Sequence, residues 1–192
     1  MSSIMRTVTT TATALALTAM LSGCQTTKQG FNAERDADIS ETKIVLPAAL
    51  YKLKGFKVKG AKILETGSYR REVVFFTGGH MRYDRYFLGG FKKTTKESFL
   101  KKVEKLYPGI VSKNSVKSEY FAIGQTYYIS FTIPFEGETF SCFTMGGDYG
   151  PSVRLRGGRG TPGTTYGTYC EPGNVPNLEQ IVVPWMSKIT LR

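Results

Sequence analysis

The sequence predicts an α+β domain: an antiparallel sheet of about five to seven strands, two helices packed on one face, and one disulfide. Three observations predict it. Short runs that alternate apolar and polar residues recur between glycine-rich turns, as half-buried strands do. Apolar residues fall at helical spacing in two segments, 96–107 and 177–188. Two cysteines, Cys142 and Cys170, flank a glycine-rich excursion near the end of the chain.

The elements follow in order. Residues 44–53 are expected to form a short helix, with Pro47 in its first turn, where a missing N–H costs little. Residues 51–63 alternate lysine with apolar residues and predict a strand. Its lysines, Lys52, Lys54, Lys57, Lys59 and Lys62, suit either a defended sheet edge or a surface that meets anionic lipid. Residues 70–77 and 81–88 predict two more strands joined at Gly78-Gly79-His80. In the helix over 96–107, Phe99, Leu100, Val103, Leu106 and Tyr107 share one face. Thr94 and Glu97 fit a capping box, and Pro108-Gly109 stops it.

Strands are expected at 116–123, 125–133, 139–145 and 164–170. Tyr127, Ile129, Phe131 and Ile133 fall on one face; Phe140 and Cys142 face opposite to Phe143 and Met145. Asn177 is a good cap for the last helix, and Pro184 inside it predicts a kink or an early stop.

The N-terminus carries a different message. Arg6 is followed by an apolar stretch from Ala12 to Leu21, shorter than the about 20 residues that span a bilayer. Such a segment is an export signal, not structure. It ends in Leu21-Ser22-Gly23-Cys24, which resembles the lipobox of bacterial lipoproteins. The resemblance implies removal of residues 1–23, diacylglycerol on the Cys24 sulfur and, usually, acylation of the new amine. More than one acyl chain gives stable anchoring. Gln25, in place of aspartate, implies the outer membrane, with the protein facing the periplasm. Residues 24–43 are polar and are expected to be a flexible tether. Residues 44–192 are left as a single basic domain, with no second apolar run of membrane length.

Export also bears on the cysteines. With Cys24 acylated, Cys142 and Cys170 pair by default in an oxidising compartment. Their bridge closes a loop of about 28 residues, worth roughly 3–4 kcal/mol from chain entropy. No C-x-x-C accompanies either, so thioredoxin-like chemistry is unsupported. Charges balance over residues 1–43, so the whole net charge of +11 belongs to the domain. That field favours anionic partners: lipid headgroups, wall polymers, acidic proteins or nucleic acid.

The candidate sites are few. Arg154, Arg156 and Arg159 stand among glycines, and guanidinium forks beside exposed backbone amides make a candidate anion-binding loop. Gly158-Arg159-Gly160-Thr161-Pro162-Gly163 matches G-x-G-x-x-G, but a strand-like run follows where a dinucleotide site needs a helix. His80 is the only histidine; it is expected in a turn, with no partners at metal-ligand spacing. His80 to Tyr86 mixes bases and aromatics, as a nucleic-acid platform does. A strand with bases and aromatics on opposite faces gives the same pattern and is preferred. Glu136 and Glu138 are expected in a turn and not as a catalytic pair.

No catalytic residue, metal site or cofactor is assigned. The first expectation is a non-enzymatic, lipid-anchored envelope protein that binds another envelope protein or an anionic envelope component. The second is a basic accessory of a secretion, conjugation or pilus machine that touches nucleic acid. The third is an envelope hydrolase with an unrecognised site.

Overall fold

The computed structural model of the protein describes residues 34–52, 55–109, 116–156 and 158–192. In chain order the strands are β1 (Arg35–Ala37), β2 (Ile44–Val45), β3 (Val58–Glu65), β4 (Tyr69–Phe76), β5 (Gly79–Tyr86), β6 (Phe91–Lys92), β7 (Lys117–Phe121), β8 (Gly124–Phe135), β9 (Glu138–Tyr149), β10 (Val153–Leu155), β11 (Gly158–Thr161), β12 (Gly163–Pro172) and β13 (Thr190–Leu191). The helices are α1 (Lys96–Leu106), after β6, and α2 (Leu178–Met186), after β12. The α+β class holds. The main sheet is larger than expected: eight strands in the order β1-β3-β4-β5-β12-β9-β8-β7, every neighbouring pair antiparallel.

Turn chemistry sets the register of its hairpins. β4 and β5 close at Phe76↔Gly79, and Gly78 supplies the positive φ of 79° that this turn needs. β8 and β9 close at Phe135↔Glu138 around Glu136 and Gly137, with φ of 50° and 83°. Both central residues at positive φ match the twist of the strands they join. Glu136 and Glu138 are therefore turn residues, and both are exposed.

The two helices lie on opposite faces, not on one. Strand alternation is the reason. On β9, Phe143 and Met145 join Tyr128, Met81, Val182, Trp185 and Met186 in a core under α2. Cys142, on the other face, joins Ile129, Phe131, Phe99 and Val103 under α1. A strand buried on both faces needs a cover on each. β13 pairs with β2, which ties the C-terminal strand into the α2 layer.

Other details differ from the sequence reading. Residues 44–52 do not make a helix, and Leu53 lies outside the described residues: Ile44–Val45 is strand β2, and a 3-10 turn occupies Leu50–Lys52. The cap of α1 is Thr95 with Ser98, because the Thr94 hydroxyl is taken by Asp148 at 2.6 Å. α2 continues two residues past Pro184. Asn177 precedes α2 in the left-handed conformation, with no side-chain cap bond.

The expected tether is ordered in its second part. β1 pairs with β3, and Asp38 with Glu41 forms a capping box on a 3-10 turn. Arg70 donates to the Glu41 carbonyl at 3.0 Å, and the buried Glu72 carboxylate accepts the Lys43 N–H at 2.5 Å. Polar bonds fix this stretch together with Ala37 and Ile39, which pack against the core under α2. β3 is consequently not the sheet edge; β1 covers its Ala61–Ile63 part. Residues Phe31–Arg192 form one compact unit that holds every described strand and helix.

Candidate functional site

α1 covers the β8–β9–β12 part of its face and leaves the β3–β4–β5 part open. Residues paired across antiparallel strands share a face. The open part therefore reads as three rows. Lys62, Val73, Arg82 and Tyr166 make the first, from β3 to β12. Leu64, Arg71, Asp84 and Thr164 make the second. Phe75, His80 and Thr168 make the third.

Asp84 is the hub. It is only 4% exposed. Arg71 Nε donates to it at 2.8 Å, Arg82 Nε at 2.5 Å, and the Tyr69 hydroxyl donates to the same carboxylate. Burial alone would raise the Asp84 pKa. The donors from Arg82, Tyr69 and Arg71 outweigh it and hold the carboxyl below its ordinary range. The Tyr69 hydroxyl is pushed up to about 12, by burial first and by its bond to Asp84 second.

α1 adds a third cation. Lys102 Nζ sits 3.9 Å from the centroid of the Tyr166 ring. Its side chain as a whole is exposed, but crowding around the ammonium end, then repulsion from Arg82, bring its pKa down to about 8. No carboxylate pairs with it among the described ion pairs. Tyr166 is 5% exposed, and its buried hydroxyl makes no hydrogen bond among the described residues. A cleft of about 210 Å³ opens beside Lys102, lined also by Thr94, Ser98, Thr164, Thr165 and Tyr166. The face thus gathers Arg71, Arg82 and Lys102 around one ionised acid.

His80 lies in this same face as part of β5, not in a turn. Its ring is 6.1 Å from that of Tyr166 and 6.3 Å from that of Phe75. Burial first, then Arg82 and Lys102, lower its pKa. Over His80–Asp84 the bases and apolar residues face opposite ways, as the preferred reading of the His80–Tyr86 motif has it, but its last two residues break the pattern: Tyr86 falls on the Arg82 face against Tyr69, and Arg85 on the Tyr83 face.

The other sequence candidates fall elsewhere. Cys24 lies outside the described residues. Cys142 and Cys170 are bonded as directly opposed residues of β9 and β12, with Cα atoms 4.1 Å apart. Arg154 and Arg159 face each other across the β10–β11 hairpin, and Arg156 is in its turn; all three are exposed. None of them reaches the Asp84 cluster through a described bond. The glycine motif runs straight from β11 into β12 with no helix, which excludes a dinucleotide loop.

Sequence reasoning missed the α1-face cluster. The spacing His80-x-Arg82-x-Asp84 marks one strand face, but Arg71 and Lys102 come to it from other elements. Ser98-Phe99-Leu100-Lys101 also matches S-x-x-K; the Ser98 hydroxyl is spent on the α1 cap, accepting from Thr95 N at 2.8 Å and donating to Thr95 O at 3.0 Å. A second groove, of about 430 Å³, lies at the start of α2. Its cation, Lys117, is neutralised by Glu179 at 2.7 Å.

No family model matches the chain, and no curated protein or solved structure matches it. Among the described residues no group of three or more His, Cys, Asp or Glu is placed to hold a metal ion. No helix among them is long and apolar enough to cross a membrane. Nothing positive points to an enzyme.

Proposed function

We propose that this chain is a lipid-anchored protein of the bacterial envelope whose folded unit recognises an anionic group of an envelope component or partner and does no chemistry on it. The anchor reading rests on Leu21-Ser22-Gly23-Cys24 at the end of an export signal. The recognition reading is carried by the α1 face, where Arg71, Arg82 and Lys102 meet a single buried acid. Asp84 orients the two guanidinium groups through one N–H edge each, so their remaining donors are positioned for a planar or tetrahedral oxyanion. Lys102 adds a point charge at the cleft.

Two measurements test this. Cells fed an alkyne palmitate should label the wild type and not Cys24→Ser; a Cys24→Ser protein that is still labelled and membrane-bound defeats the anchor. Inorganic phosphate titrated into the wild type should shift the amide resonances of β4, β5 and the start of α1. Lys102→Gln, at an exposed position, should weaken that binding about tenfold, as loss of a charged hydrogen bond does. Equal affinity in both proteins defeats the recognition site.

A further inference from the structure

A second basic region stands apart from the α1 face. The chain carries no acid between Asp84 and Glu97, and none between Asp148 and Glu171. The fold brings these two acid-free segments together. β6 pairs with β11 through Phe91↔Thr161 and Lys92↔Gly160, and β11 pairs with β10 through Arg154↔Arg159. Two arginines directly opposed across a hairpin repel each other, so the arrangement is relieved by an external anion. Arg85, Lys92, Lys93, Arg154, Arg156 and Arg159 all belong to this lobe.

The lobe also displays apolar residues. Phe87-Leu88-Gly89-Gly90 leads β5 into β6. Leu88 is 79% exposed and Phe87 43%. The Arg85 guanidinium lies 5.6 Å over the Phe87 ring. The loop has a stiff base: Phe91 packs on Tyr86 with centroids 4.6 Å apart and on Tyr69 at 6.4 Å. Gly90 fits against the hairpin so closely that a Cβ would sit 2.6 Å from the Thr161 carbonyl oxygen and 2.8 Å from Val153 Cγ2. Beside the loop a hollow of about 550 Å³ is lined by Arg154, Arg159, Ser152, Val153 and Leu155.

Exposed apolar side chains on a tightly packed base, in segments that carry cations and no acids, are what an anionic bilayer interface accepts. The tip exchanges water for the acyl boundary while the cations meet phosphates. We propose that this lobe docks on the surface of an anionic membrane, with Phe87 and Leu88 entering the interface and Arg154 and Arg159 holding lipid phosphate. The inference uses residues other than those of the α1 face. It stands whether or not that face binds an anion, and whether or not Cys24 is acylated.

Sedimentation with vesicles tests it, using a chain that begins at Phe31 and so keeps the whole compact unit without the apolar N-terminal stretch. Vesicles of equimolar phosphatidylglycerol and phosphatidylcholine should carry this protein down; phosphatidylcholine alone should not. Phe87→Ser with Leu88→Ser should lower binding about tenfold through lost apolar burial. Arg154→Gln with Arg159→Gln should lower it by roughly tenfold to thirtyfold, about fivefold for each cation. Tyr120→Ser, at a residue 83% exposed on the edge strand β7, which pairs with no strand of the lobe, should change nothing. Leu88→Trp supplies an independent reading, because Trp185 is only 5% exposed and its signal stays constant. Tryptophan emission should move to the blue when anionic vesicles are added. Wild-type protein that ignores phosphatidylglycerol vesicles overturns the proposal, as does an apolar double variant that binds like wild type or an unmoved Leu88→Trp emission.

Discussion

At Asp84 the cost of burying a carboxylate is offset by three donors, two of them cationic. Removing the acid leaves Arg71 and Arg82 close together without a counter-charge. Asp84→Asn should therefore destabilise the fold by about 2–3 kcal/mol in urea denaturation, below the about 3–5 kcal/mol of a fully buried pair because both arginines reach water. Arg71→Gln should cost less, since Arg82 and Tyr69 still satisfy the acid. The pH dependence has a definite sign. Asp84 has a lowered pKa in the fold, so its stabilisation is full above the unfolded value near about 4 and is lost as pH falls through the folded one. His80 is a base with a lowered pKa. The unfolded chain takes up its proton first, so stability drops as pH falls through about 6.5. Denaturation midpoints should decline in two steps on acidification, and His80→Gln should remove only the upper one. An unchanged upper step in that variant contradicts the assignment to His80.

Among the elements, the β9–β12 pair is stapled near its Phe140↔Pro172 end by Cys142 and Cys170. Reduction should lower the stability by roughly 3–4 kcal/mol, the chain-entropy value for a loop of this length, visible as an earlier urea midpoint. α1 is seated by Phe99 and Val103: Phe99 is 2% exposed, Val103 is fully buried, and a Cβ at Gly146 would lie 3.2 Å from the Phe99 Cδ2. Phe99→Ala should cost about 3–4 kcal/mol and loosen the position of Lys102 over Tyr166. The strands of this sheet were legible in the sequence because alternation survives wherever one face is more buried than the other. Residues 125–133 and 139–145 fell inside β8 and β9 for that reason. The placement of α2 on the opposite face was legible, though the expectation put both helices on one face. Phe140-x-Cys142 and Phe143-x-Met145 already declared two apolar faces on one strand, and two covered faces require covers on both sides. β1 was hidden because two charged residues and an alanine, Arg35-Asp36-Ala37, are too few to show a period. The cap of α1 was shifted by one residue because only the fold shows that Asp148 claims Thr94. The cation face escaped because its members come from β4, β5 and α1, and no sequence spacing links them.

Over the whole molecule, the net charge of +11 sets a field that any anionic partner meets before contact. Its range is set by salt: the Debye length is about 30 Å at 0.01 M and about 3 Å at 1 M. Association with anionic vesicles should weaken steeply over that interval, and changing Arg154, Arg156 and Arg159 together to Gln should flatten the slope. The α1 face adds a dependence on pH that the global field does not have. Around it stand Lys62, Arg71, Arg82, Asp84, His80 and Lys102, with Asp36 of β1 opposite Lys62. Near neutral pH and above, the arginines stay charged, Asp84 stays ionised and His80 stays neutral. Lys102, with its pKa near 8, is the group that changes. Affinity for sulfate, an oxyanion whose charge stays constant over this interval, should therefore fall as pH rises from about 7 to about 9, as the lysine gives up its proton. Lys102→Arg keeps a permanent cation at that place and should hold its affinity across the same interval. If both proteins lose sulfate in parallel, the loss belongs to the overall charge and not to Lys102, and the α1 face is not where the anion binds.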